Sequence, residues 1–124
     1  DSVDILDGRI VNFGIRFSFV ANTNYSLIDA RVAAEERLRF ELEKRKYYFG
    51  ESIDVSHLTK VINDVEQVID VTKFEVYSIT GAPYSDVEYD FIKNKTSDGR
   101  FIKLQDDFIF EIKNLDLTIT GEAI

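Results

Sequence analysis

The residues able to carry chemistry are few, and their spacing is poor for it. His57 is the sole imidazole, and the chain has no cysteine and no tryptophan. A histidine-based metal site needs further His or Cys ligands, so His57 has no natural co-ligands. As a general base it would need a serine in a nucleophile-elbow setting, and no serine here has one. His57 therefore reads as an exposed or capping-region side chain in the first turn of a helix. Asp106-Asp107 is the obvious carboxylate pair for hydrolysis or a hard cation. Neighbouring residues on a strand point to opposite faces, so this pair reads instead as a solvated loop. The stretch Asn94-Lys95-Thr96-Ser97-Asp98-Gly99 lacks the alternating oxygen ligands and terminal Glu of a calcium-binding loop, and Asp98-Gly99 suffices as a hairpin turn. Neither an enzyme nor a metal or cofactor site is expected; a small hydrolase using Asp and Glu is the weakest of the readings.

Binding to nucleic acid or membranes fares no better. The formal charge of −8 opposes broad contact with phosphate backbones or anionic lipid. A KH-like clamp needs a GXXG loop between helices, whereas the segment here is the acidic Gly50-Glu51-Ser52-Ile53. No apolar run approaches the roughly 20 residues that cross a bilayer. The sequence starts Asp1-Ser2-Val3-Asp4 and contains no methionine, which is the expectation for a piece of a longer chain. What remains is aromatic. Tyrosine suits protein contacts because its ring is apolar while its hydroxyl stays wet. Tyr47, Tyr48, Tyr84, Tyr89 and Phe101 are the candidate interface residues.

The elements that must position these groups follow from the hydrophobic period. Val11, Phe13, Ile15, Phe17 and Phe19 alternate with Asn12, Gly14, Arg16 and Ser18, which predicts a strand over about 9–21 with one apolar face. Ser26 is the expected cap of a helix running to about Lys46, with Leu27, Ala30, Ala34, Leu38 and Leu42 as its core stripe and a charged opposite face. Gly50 is placed to end it. Ser56 is the expected cap of a second helix carrying Leu58, Val61, Ile62 and Val65. In the next strand Ile69 and Val71 share one parity while Phe74 and Val76 share the other, so a bulge is expected near Thr72-Lys73. Beyond Gly81 the pattern is all-β: alternation over 87–91, a turn at 97–99, and further strands around Phe101, Phe108–Ile112 and Leu115–Ile119.

The predicted fold is α+β. Residues 1–80 form a strand–helix–helix–strand unit with both helices on one face of an antiparallel sheet, and residues 81–124 form a β-rich C-terminal extension of what is expected to be one domain. The inward face should hold Phe13, Ile15, Phe17, Leu38, Leu42, Leu58, Ile62 and Phe74. At 44% hydrophobic residues, such a chain can bury a core without staples.

An ordered series of segments carries a resemblance. Gly8-Arg9-Ile10-Val11-Asn12-Phe13-Gly14 opens the first strand, Tyr48-Phe49-Gly50-Glu51-Ser52-Ile53 joins the helices, and Val55-Ser56-His57-Leu58 begins the second. Val68-Ile69-Asp70-Val71, Asp98-Gly99-Arg100-Phe101-Ile102-Lys103 and Phe110-Glu111-Ile112-Lys113 follow in order. From Gly8 to Gly121 the chain resembles the C-terminal part of baseplate wedge proteins of contractile-tailed, T4-type bacteriophages, and more loosely the baseplate J-like family. It departs at Glu66-Gln67, where many J-like relatives carry Pro-Gly. The resemblance implies a virion structural protein of the tail baseplate, assembled in the host cytoplasm. Its implied partners are other copies of itself, as a homo-oligomer, and neighbouring wedge proteins. The alternative is a receptor- or carbohydrate-binding module using Tyr47, Tyr48, Tyr84 and Tyr89 as stacking platforms.

Overall fold

The computed structural model describes residues 9–44 and 51–124. The expected helix end near Lys46, the Gly50 cap, Tyr47 and Tyr48 lie outside them. The fold is α+β, organised on β1 (Arg9–Ala21) as the middle strand of a mixed sheet. After it come α1 (Leu27–Lys44), β2 (Ile53–Asp54), α2 (Val55–Asn63), β3 (Val68–Ser78), β4 (Phe101–Ile102), β5 (Phe108–Glu111), the single turn α3 (Leu115–Thr118) and β6 (Ile119–Ala123).

The two long strands pair antiparallel, with Phe17 opposite Phe74 and Ile15 opposite Val76. The register slips twice. Thr72 is the extra residue between the Ser18–Lys73 and Phe19–Val71 pairs, and Ile69 is extra between Val20–Asp70 and Ala21–Val68. The first bulge sits where the parity change in the sequence puts it. Side chains satisfy it: Thr72 Oγ1 donates to the Ser18 carbonyl at 3.2 Å, and Asn63 Oδ1 accepts the Val71 N–H at 2.8 Å. The second turns Ile69 outward to 59% exposure, so Val68 and Val71, not Ile69, continue the inner face.

From residues 81–124, β5 and β6 join the same sheet, while β4 pairs antiparallel with β2 in a separate two-stranded sheet. β5 runs parallel to β1 from Arg9–Phe108 to Asn12–Glu111, and β6 runs parallel from Ile15–Ile119 to Phe19–Ala123. The chain crosses the gap between them through Asn114, at φ 56°, and the turn α3. This helical turn interrupts a region whose alternation predicts strand only; Thr118 Oγ1 donates to the Lys113 and Asn114 carbonyls, which favours the turn locally. Residues 87–91 also differ from the strand expected of them. They alternate in burial, but they are fastened by Ser78 Oγ, which accepts the Tyr89 N–H and donates to the Tyr89 carbonyl.

Both helices lie on the odd-numbered face of β1, α1 over β6 and α2 over β3. That face buries Val11, Phe13, Ile15, Phe17 and Phe19 against Ala30, Ala34, Leu38, Leu42, Leu58 and Ile62. Phe74 is half-buried and packs on this core from its edge. Ser26 caps α1 as expected, its Oγ accepting the Asp29 N–H at 3.0 Å. α2 is capped by Asp54 rather than Ser56: Asp54 Oδ1 accepts the His57 N–H at 2.9 Å, and Ser56 lies inside the first turn. The carboxylate gains from the positive end of the helix dipole as well as from the hydrogen bond.

Candidate interaction surface

His57 is held where the sequence leaves it, in the first turn of α2. Its Nε2 sits 3.0 Å from Oε2 of Glu41, a buried carboxylate on α1 that also has Arg37 at 3.4 Å. The pair therefore fastens one helix to the other. Asp106 and Asp107 are exposed in the turn before β5, and the Asp107 carbonyl accepts the Arg9 N–H at 2.7 Å. Among the described residues no group of three or more His, Asp and Glu side chains is placed to hold a metal ion. No described helix is long and apolar enough to cross a membrane.

The three described aromatic candidates are scattered. Tyr89 is a core residue, at 8% exposure, and the expectation of a surface contact is corrected there. Its ring lies 5.1 Å from Phe110, 5.2 Å from Phe108 and 5.2 Å from Phe91. Its hydroxyl donates to the Lys103 carbonyl and accepts the Gln105 N–H at 3.0 Å. Alternation places Tyr89 on one side of its segment; the partners that draw it inward are Phe91 of the same segment and Phe108 and Phe110 of β5, and local pattern cannot identify the latter. Tyr84 is half-buried, with Lys113 Nζ 5.5 Å from its ring centroid and its hydroxyl accepting from Asn114 Nδ2 at 3.0 Å. Neither ring is a free stacking platform. Phe101, on β4 opposite Asp54, is exposed at its edge, with Arg100 6.0 Å from the ring centroid.

Burial pushes the Tyr89 phenol above its ordinary range, although the Gln105 N–H draws it back. The folded chain then holds that proton longer than the unfolded one, so stability is unaffected below about pH 10 and falls as pH rises beyond it. Ultraviolet titration should show two of the described tyrosines ionising late, Tyr89 and also Tyr25, whose hydroxyl bonds the Glu66 carboxylate, with loss of near-ultraviolet circular dichroism as Tyr89 ionises. In Tyr89→Phe the Tyr89 share of the late-titrating class should be gone and the Tyr25 share should remain.

The surface that sequence reasoning missed is on α1. Its outer face was expected to be charged, but Ile28, Val32 and Phe40 stand there in the open, Ile28 at 68% and Phe40 at 56% exposure. They lie on the 28, 32, 36, 40 row, one side chain per turn with Glu36 between. The signal was present in that spacing of four. It is hidden because the expected stripe of Leu27, Ala30, Ala34, Leu38 and Leu42 already accounts for one apolar face, although Leu27 itself is 53% exposed and only the other four are buried. α1 thus carries apolar residues on both sides, Ala30, Ala34, Leu38 and Leu42 inward and Ile28, Val32 and Phe40 outward.

The edges of the sheet are managed unequally. At β6, Glu35 of α1 reaches over and accepts the Gly121 N–H at 2.8 Å, and Arg39 holds Glu35 at 3.4 Å and Asp116 at 3.4 Å. A Cβ at Gly121 would come within 2.7 Å of the Phe17 ring, so glycine is what lets the strand lie this close. The face of the sheet away from the helices is polar: Arg16 stacks on Tyr77 at 4.0 Å, Ser18 donates to Glu122 and Lys73 pairs with Glu75. Neither the models of known protein families nor the curated proteins give a match to this chain.

Proposed function

We propose that this chain is a non-enzymatic assembly module of a contractile-tail phage baseplate, the C-terminal part of a wedge protein acting through protein–protein contacts. The observation that carries the reading is the outer ridge of α1. Ile28, Val32 and Phe40 face away from the core on a helix whose inner stripe is already buried. Large apolar side chains aligned on one exposed face are the feature that marks a partner-binding surface. The resemblance of the ordered sequence segments to those of baseplate wedge proteins supports this kind of assembly. Other copies of the chain and neighbouring wedge proteins are the partners it implies.

Cross-linking inside purified tails, with photoreactive groups at positions 32 and 40, should capture neighbouring wedge polypeptides. Sizing at several concentrations should show association that Phe40→Glu weakens without unfolding the chain. A strictly monomeric chain that is absent from baseplates would overturn the proposal.

A further inference from the structure

The open edge of β3 offers a different kind of surface. β3 pairs with β1 alone among the described strands, so its other side is a sheet edge. The Ile79 N–H donates to the Asn12 carbonyl at 2.9 Å. Antiparallel pairs alternate in bonding, which makes Gly14–Tyr77 and Arg16–Glu75 the bonded pairs that follow. Phe74 and Val76 therefore turn their N–H and C=O groups away from β1, toward the open side. The bulges at Ile69 and Thr72 blunt the first half of the edge, and the stretch from Lys73 to Tyr77 is left straight.

A groove of about 480 Å³ opens at the C-terminal end of this stretch, between Val76–Ser78 and the 88–92 segment, with Tyr89 and Phe91 among its walls and Glu88, Asp90 and Ile92 around it. The Ser78 side chain holds the 88–92 segment there through both hydrogen bonds to Tyr89. Glu88 has no hydrogen-bond or ion-pair partner among the described residues, and Ile92 is 85% exposed. Asp90 accepts the Lys93 N–H, and Glu75 has Lys73 at 3.4 Å. Edge, apolar trough and acidic rim lie side by side.

We infer that this edge accepts an extended segment of another polypeptide by strand addition, with apolar side chains alternating with Lys or Arg. Backbone groups of Phe74 and Val76 supply the ladder, the trough takes the apolar residues and Glu88 with Asp90 takes the basic ones. A second copy is the wrong occupant. Two β3 strands laid antiparallel about Phe74 would bring Asp70 of each toward the Glu88–Asp90 rim of the other, adding repulsion between two chains of charge −8. The inference deepens the assembly reading and rests on it for the existence of a polypeptide partner.

The test is a panel of synthetic hexapeptides alternating Lys or Arg with Val, Ile or Thr, and a Glu-for-Lys control set, titrated against the intact chain. Members of the basic set should bind, and amide exchange at Phe74 and Val76 should slow on saturation. Glu88→Lys, whose carboxylate supports no contact in the fold, should weaken binding about tenfold at low salt. Four results overturn the inference: no basic peptide binding at millimolar concentration, equal binding of the acidic set, unchanged exchange at Phe74 and Val76, or a self-associated chain that already covers them. Failure here leaves cross-linking in tails untouched, whereas absence from tails leaves peptide binding untouched, so the two readings fail separately.

Discussion

Phe13→Ala should lower the unfolding free energy by about 3–5 kcal/mol, since truncating a buried phenylalanine loses both transfer energy and packing around the cavity. The Phe13 side chain is fully buried, with its ring 6.3 Å from Phe91 and 6.1 Å from Phe110. Three separate parts of the chain meet there: the middle strand, the 88–92 segment and β5. The void cannot collapse without moving all three. A domain of this size has about 5–15 kcal/mol in total, so the variant should sit near the limit of folding. Urea unfolding measures it, with Phe40→Ala as the comparison. Phe40 is on the outer ridge, and its loss should change stability by no more than about 0.5 kcal/mol. Equal effects at the two positions would contradict the packing described for Phe13.

Gly14→Ala should cost about 1–3 kcal/mol through overpacking. A Cβ at Gly14 would come within 2.6 Å of the Tyr77 ring and 2.9 Å of the Thr118 carbonyl. The Tyr77 ring can swing aside, at the loss of its stacking with Arg16. The Thr118 carbonyl belongs to the backbone of α3 and yields only if that turn moves, which would disturb the β6 ladder beginning at Ile119. Adding Tyr77→Ala to Gly14→Ala should therefore recover only part of the loss. Full recovery in the double variant, followed by chemical denaturation, would show that α3 is not the obstacle.

The core unit was legible because it obeys local rules. Alternation in β1 and four-residue spacing in α1 and α2 correctly identify Phe13, Ile15, Phe17, Leu38, Leu42, Leu58 and Ile62 as fully or nearly fully buried. The bulge at Thr72 was legible for the same reason, as a change of parity within one strand. The pairing of β5 and β6 with β1 was not, since nothing in Phe108–Glu111 or Ile119–Ala123 specifies a parallel partner about a hundred residues earlier. The inward position of Tyr89 depends on that pairing, so it was hidden with it. The Asp54 cap was missed because Asp54 and Ser56 are both capable caps, and the pairing of β2 with Ile102 and Phe101 fixes where α2 begins. Among candidate interface residues, composition favoured tyrosine, while the exposed apolar groups are aliphatic residues and phenylalanine at positions whose outward direction only the packed helix reveals.

The split ladder along β1 has a consequence for biosynthesis. Among the described strands, the earliest in sequence is the one beside which the latest must dock, since Phe19 pairs with Ala123. During translation, β1, α1, α2 and β3 can collapse early through neighbours in sequence, while the flank reserved for Ile119–Ala123 waits bare. Contacts this far apart along the chain slow closure, and an unfilled flank is adhesive to other nascent chains. Synthesis must therefore proceed through Ala123 before this flank of β1 is filled.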